Sequence, residues 1–230
     1  MSASIAIIAA LPREIAALVR GLRPEAALLP SGIHLYRLPN AIVVAAGMGS
    51  LRASIAVEAA RAVASIDTLI SVGLAGSCVE SLAAGVLAEV TTVIDTNTGE
   101  RFTTSESSQQ PYILATIEAI ASVREKSRLS ATYGAALVDM EAATVARLAV
   151  AHGLRFRAIK AISDAHDFEL AALNRFTGKH GTFRTGAFAL HTALRPHMWA
   201  KAAKLGRDSD RALERLHMRL LEVIASEDLS

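Results

Sequence analysis

Two short stretches of the chain combine residue types suited to acid–base chemistry. They are Val138-Asp139-Met140-Glu141-Ala142-Ala143 and, at the end of the next apolar run, Ala161-Ile162-Ser163-Asp164. Each follows an apolar segment, so Glu141 and Asp164 are expected at corresponding edges of one buried sheet. Glu141 opens a helix of small residues, near the amide-rich positive end where an ionised carboxylate is favoured. Asp164 ends a strand, where open α/β sheets hold their ligands. Such a pair can grip a sugar through the Glu and protonate a leaving group through the Asp. The same residues also serve as a helix N-terminal charge and a turn cap, and spacing alone leaves both readings open.

The surrounding pattern supplies the elements that must position this pair. Ser4 to Leu11 is a continuous apolar run ended by Pro12, the signature of a strand buried on both faces. Arg13 to Leu22 has helical spacing, with Ile15, Leu18, Val19 and Leu22 on one side. Ile33–Leu38 and Ile42–Ala46 read as a hairpin through Pro39-Asn40. Ser50 to Ser65 reads as an Ala-rich helix, Thr68–Val72 and Val86–Ile94 as strands, Glu141–His152 as a helix and Phe156–Ile162 as a further buried strand. Tyr112 to Ile120 is apolar and extended. Between Thr96 and Pro111 the chain is polar and aperiodic, which predicts a structureless, mobile loop over the site. From Thr185 the chain is helical, interrupted at Pro196, and ends in a stripe of Leu213, Leu216, Leu220, Val223 and Ile224.

Composition favours one α/β domain spanning all 230 residues, with a C-terminal helical extension from about 185. Hydrophobic residues make up 52% and aromatics only 4%, so the interior must be Ala, Val, Ile and Leu, as in a parallel sheet flanked by close helices. A net charge of +2 without a basic stripe gives no electrostatic reason to expect nucleic acid. No apolar run approaches the roughly 20 residues that cross a bilayer, and the opening strand has no charged leader. A cytoplasmic protein without an integral membrane segment is expected. The single cysteine, Cys78, and seven scattered histidines form no metal-ligand pattern, so neither a metal nor a cofactor is expected.

Several further residues belong to the candidate site. Gly47-Met48-Gly49-Ser50-Leu51-Arg52 lies between a strand and a helix, where backbone amides can hold an anion or a hydroxyl. It lacks the third glycine of a dinucleotide fingerprint and the Gly-Lys-Ser/Thr of a triphosphate loop. Gly73-Leu74-Ala75-Gly76-Ser77 reads as a second amide-rich turn that converges on the first. Glu14 follows the first strand, either complementing a helix dipole or acting as a general base at the sheet edge.

The order of Glu14 after a strand, a Gly-rich turn, a Gly-x-Ala-Gly segment, Met-Glu-Ala-Ala and Ile-Ser-Asp resembles the nucleoside phosphorylase superfamily. It looks closest to the nucleosidase branch, typified by methylthioadenosine/S-adenosylhomocysteine nucleosidases. The resemblance runs from about residue 4 to 167. It implies a three-layer α/β/α domain around a central mixed, largely parallel sheet, and release of adenine from a 5′-modified purine nucleoside by hydrolysis. By that resemblance Asp164 protonates the departing purine, Glu14 deprotonates the attacking water, and Glu141 holds the ribose hydroxyls with Met140 beneath the sugar. Gly47, Met48, Gly49, Ser50, Ala75, Gly76, Ser77 and Ser163 would line the cradle, and the family implies a homodimer or higher homo-oligomer.

The chain also departs from the family. Where the nucleosidases stack an aromatic residue on the purine, this chain reads Glu118-Ala119, and their usual Gly-Asp becomes Gly85-Val86. The tail from Leu194 to Ser209 looks more like the members associated with hopanoid biosynthesis, thought to act on a nucleoside with a large 5′ lipid. Two alternatives stand beside hydrolysis: phosphorolysis, with Arg52 as a phosphate-binding residue, and a nucleoside-binding protein without turnover.

Overall fold

The computed structural model describes residues 5–105, 111–170, 174 and 199–227. Strand β1 (Ile5–Ala9) pairs in parallel with β3 (Ala41–Ala45) and β4 (Thr68–Ser77), and β2 (His34–Arg37) closes the hairpin onto β3. Every residue of β1 and β3 is buried. Their side chains alternate between two cores because successive residues of a strand point to opposite faces. Ala6, Ile8, Ile42 and Val44 face one core, whereas Ile5, Ile7, Ala41 and Val43 face the other.

The first core is capped by two helices rich in small residues, α2 (Ser50–Val63) and α4 (Ala142–Ala151). Ala53, Ala56 and Ala60 of α2 and Ala142, Ala146 and Ala149 of α4 are at most 2% exposed, so both helices can lie close to the sheet. The second core is covered by the short α1 (Pro12–Ile15) and by α5 (Trp199–Glu227), which presents Ala212, Leu216, Leu220 and Val223. Helices on both faces of a central sheet give the three expected layers.

The far half of the sheet curls into a ring. Strand β4 pairs with β8 (Leu137–Asp139) and β9 (Arg155–Asp164), and β5 (Leu87–Asp95) pairs with β9 and β7 (Tyr112–Thr116). The β7–β8 pairing completes the circuit. Two strands of ten residues, β4 and β9, therefore belong both to the flat half and to the ring. The pairing is mixed: β4 and β9 run parallel, whereas β9 and β5 run antiparallel.

Four expectations change. Gly73–Ser77 is not a turn: the chain continues through it as the second half of β4, opposite β8 and β9. The helix expected from Arg13 to Leu22 stops at Ile15 and continues as turns, although Leu18 and Val19 still reach the core. The polar Thr96–Pro111 segment contains an edge strand, β6 (Arg101–Thr103), paired antiparallel with β5. Helix α3 (Val123–Tyr133), absent from the sequence reading, has Ser122 as its N-cap, with Oγ accepting the Glu125 amide at 3.1 Å. The expected start of the helical extension near 185 lies outside the described residues.

Because Leu216 is fully buried between α5 and the sheet, Leu216→Ala should cost about 2–5 kcal/mol. Leu221→Ala on the exposed side, where the side chain is 43% accessible, should stay within about 0.5 kcal/mol of the parent. Denaturant midpoints of the two variants measure the difference.

Candidate active site

At the carboxyl ends of β1, β4, β8 and β9 lies a cavity of about 260 Å³. Glu14, Met48, Ala75, Gly76, Met140, Glu141, Ser163 and Asp164 all line it, joined by Asp139 and Lys126. Apolar side chains of Ile117, Ala119, Ile120, Ala121 and Leu170 also line it, and α5 contributes Leu205, Gly206 and Ser209. Residues far apart in the chain thus converge because β1 and β9 end beside the second half of β4, along which the antiparallel β8 runs back toward the end of β1. Glu141 and Asp164 therefore do not sit at corresponding strand edges.

Glu14 is buried and held by backbone amides. Its Oε2 accepts from Ala10 at 3.0 Å and Leu11 at 2.8 Å, while Oε1 accepts from Leu74 at 2.9 Å. A carboxylate has about four lone-pair positions, so one remains for a further donor on the cavity side. The carboxylate fits against β4 only because residue 73 is glycine. A Cβ there would lie 2.8 Å from Oε1, and the backbone has φ +130°.

On the other side, Asp139 ends β8 and organises the start of α4. Its Oδ1 accepts from Thr116 Oγ1 at 2.7 Å, and its Oδ2 accepts from the Ala142 amide at 3.0 Å. Lys160 Nζ pairs with the same Oδ2 at 2.9 Å and donates to Ser71 Oγ at 3.0 Å. Burial pulls the Lys160 pKa down, but the negative charges of Asp139 and Glu141 outweigh it and leave the pKa above its ordinary value. Glu141 is the N-cap residue of α4, and its Oε1 accepts the Gly49 amide at 2.7 Å. Burial, then the charge of Asp139, push its carboxyl up to about 8 against the opposing pull of Lys160 and the Gly49 amide.

Asp164 sits at the end of β9 and is 5% exposed. Its Oδ2 is ion-paired with Lys126 Nζ, reaching in from α3, and Oδ1 contacts Ser163 Oγ. Burial raises the Asp164 pKa above the ordinary carboxylate value, with Lys126 and Ser163 pulling the other way.

Other expected residues stand apart from the cavity wall. Gly47, Gly49 and Ser50 do not line it, and Gly49 contributes through its bond to Glu141 instead. Ser77 is fully buried and spends its hydroxyl on the Val79 carbonyl at 2.7 Å. Arg52 also lies off the wall: its guanidinium donates to the carbonyls of Ala46, Ser31 and Gly32, pinning the segment before β2. Residues 96–105 of the expected lid do not reach the cavity either, and residues 106–110 lie outside the described residues. Glu118, at the position of the missing aromatic, points away and accepts from Asn97 at 2.9 Å.

Lys126, Asp139 and Lys160 were not picked out from the sequence as site residues. For Lys160 a signal existed, since a lysine inside a buried strand needs a partner. No group of His, Cys, Asp and Glu among the described residues is arranged to hold a metal ion.

The result is an α/β fold of three layers with acidic side chains gathered around one cavity. The chain belongs to the phosphorylase superfamily, whose family model matches residues 4–119 and 112–190. No curated protein matches it. Among solved structures it is similar to the 5′-methylthioadenosine/S-adenosylhomocysteine nucleosidase of Helicobacter pylori with butyl-thio-DADMe-Immucillin-A. That match has 16% identity and a TM-score of 0.66 and covers 99% of each chain. The futalosine hydrolase of Helicobacter pylori aligns at 21% identity and a TM-score of 0.62, covering 83% of this chain and 97% of that one. The corresponding nucleosidase of S. pneumoniae with the transition-state inhibitor MT-ImmA shares 24% identity at a TM-score of 0.59, covering 81% and 96%.

The raised Glu141 pKa has a consequence for stability. The folded protein holds this proton up to about pH 8, whereas the unfolded chain releases it near the ordinary Glu value of roughly 4.3. Between those limits the folded state binds more protons, so stability falls as pH rises. Glu141→Gln should flatten this loss, read from denaturation midpoints at roughly pH 5 and pH 8.

Proposed function

We propose that this protein is a purine nucleosidase that hydrolyses the N-glycosidic bond of a 5′-modified adenosine-like nucleoside, releasing adenine. The observation that carries this reading is the convergence of Glu14, Glu141 and Asp164 on one cavity while Arg52 is committed elsewhere. The names of similar structures, nucleosidases and a futalosine hydrolase, support it.

Cleaving this bond builds positive charge on the sugar and negative charge on the departing base. Protonating a ring nitrogen of the base relieves the second, and Asp164, buried and raised in pKa, is suited to supply that proton. A water held at the anomeric carbon must lose a proton as the new bond forms. Glu14, with one acceptor position left over from its three amides, is suited to receive it. Glu141, oriented by the Gly49 amide, takes the ribose hydroxyls, and Met140 packs beneath the sugar. The apolar wall from Ile117 to Ala121 faces the base in place of a stacked aromatic.

Phosphorolysis would need a cation for the incoming phosphate, and on the described wall the arginine available is Arg13. Our reading further includes a single domain over residues 1–230, a cytoplasmic location and a homo-oligomer. Leu51 on α2 and Val150 on α4, 70% and 69% exposed, are apolar side chains that an assembly would cover. No helix among the described residues is long and apolar enough to cross a membrane.

A panel of purine nucleosides assayed for free base, with and without phosphate, tests the reaction class. Base release should run at full rate in phosphate-free buffer and give free sugar, whereas a sugar phosphate as product would establish phosphorolysis. Asp164→Asn should lower turnover about 100-fold or more with folding retained. Glu14→Gln should abolish hydrolysis and leave adenine binding nearly intact, measured by calorimetry.

A further inference from the structure

Lys126 is a charged residue at this site that the proposed chemistry does not yet use. Its side chain is 2% exposed, and an ammonium buried that deeply must have all its donors satisfied. Its three N–H groups go to Asp164 Oδ2, to the Ala165 carbonyl at 2.8 Å and to the Phe168 carbonyl at 3.1 Å. Two of these bonds tie it to the turn after β9, so the third holds one chosen oxygen of Asp164 at a fixed place. Gly76 makes room for the pair: a Cβ there would lie 3.1 Å from Asp164 Oδ2 and 3.2 Å from Lys126 Cε.

The other carboxylate oxygen has a different neighbour. Ser163 Oγ lies within hydrogen-bond distance of both Asp164 Oδ1 and the Ala75 carbonyl, the latter at 3.2 Å. A hydroxyl has one hydrogen, and the Ala75 carbonyl can only accept. When Ser163 donates to Ala75, the contact with Asp164 requires a hydrogen on Oδ1. Oδ2 faces an ammonium with no acceptor capacity, so it is the poorer seat for a proton.

We propose that Lys126 acts through Asp164 as a positioning residue: by clamping Oδ2 from α3 it assigns the transferable proton to Oδ1, and it holds the carboxylate left after that proton has gone. The identity of the proton acceptor, a ring nitrogen of the departing base, rests on the nucleosidase reading. In that step the Oδ1–H bond breaks and an N–H bond forms on the base, which leaves with the electron pair of the glycosidic bond. Water attacks the sugar and its proton passes to Glu14. Both carboxyl groups then return to their starting states by exchange with solvent. The negative charge that appears on Asp164 is met by a cation already in place, without reorganisation.

Other ionisable groups surround the pair. Glu125 lies beside Lys126 on α3, where Arg128 holds it below the ordinary carboxylate range. The Cys78 thiol, pushed up to about 12 by burial, stays neutral. His166 and Asp167 lie in the clamped turn, and Arg13, Glu14, Asp139 and Glu141 stand elsewhere on the cavity wall.

The test is a carboxyl carbon NMR titration of ligand-free protein labelled at Asp, with the Asp164 signal assigned by its loss in Asp164→Asn. In Lys126→Met the burial of Asp164 is no longer opposed by a cation, so its midpoint should rise by about one pH unit or more. Lys126→Gln, which keeps a donor for the Ala165 and Phe168 carbonyls, should show the same direction and covers a failure of the first variant to fold. In base-release assays the alkaline limb of the kcat profile should move with the midpoint, with kcat down about 10-fold or more and KM little changed. A midpoint unchanged or lowered in a folded variant overturns the proposal. Absence of base release by the parent enzyme would instead overturn the nucleosidase reading, because the titration needs no substrate.

Discussion

Charge buried beside a nearly aliphatic sheet is the constraint around which this protein is organised. Lys126 and Lys160 are among its largest fully buried side chains, and Glu14, Asp139 and Asp164 are buried as well. Taking an isolated charge out of water costs several kcal/mol even after relaxation, in the order-of-magnitude sense, and only close pairing and hydrogen bonds offset it. Each pairing therefore dictates a piece of architecture. Asp139 with Lys160 ties β8 to β9 across β4, and the same carboxylate caps α4 through the Ala142 amide. Lys126 with Asp164 brings α3 against the end of β9, and Glu14 binds the end of β1 to β4 through three amides. Breaking such a pair from one side leaves an uncompensated charge, so these contacts fix geometry more than they add net stability.

The same arrangement gives the cavity its chemical asymmetry. Fixed charges line it together with the aliphatic side chains of Ile117, Ala119, Ile120 and Ala121. Preorganised dipoles next to a low-dielectric surface act more strongly on developing charge than they would in water. Asp139 aside, three carboxylates line this cavity, and their partners differ. Glu14 has only amide donors, Glu141 has one amide and a like charge nearby, and Asp164 has a cation. Groups of one chemical type are thereby set to different tasks by their surroundings.

Much of this was legible in the residues. Burial of β1 and β3 on both faces needs only continuous apolar runs bounded by Pro12 and by Pro39-Asn40, and a carboxylate that ends such a run is visible as such. What escaped was fixed by contacts distant in sequence. Helix α3 carries a polar pattern, Arg124-Glu125-Lys126-Ser127-Arg128, so nothing local distinguishes Lys126 from a solvated lysine. Gly73 and Gly76 read as turn residues because glycine does mark turns. Here they are strand residues that leave room for Glu14 and for Lys126 with Asp164. The polar stretch after Asp95 looked structureless because an edge strand such as β6 buries little, two of its three residues being exposed.

The pairing of β4 with β9 slips by one residue near its end: Ala75 lies opposite Ile162, but Gly76 lies opposite Asp164, leaving Ser163 as an extra residue. Side chains alternate with strict parity along a strand, so one inserted residue exchanges the faces of everything after it. Were Ser163 paired in regular register, Asp164 would share the face of Ile162, inside the aliphatic core against α2 and α4. The acid of this site is aimed by an odd number. A residue inserted between Ile162 and Asp164 is therefore a different kind of change from a substitution there, because it alters which compartment of the protein the carboxylate inhabits while leaving its chemistry untouched.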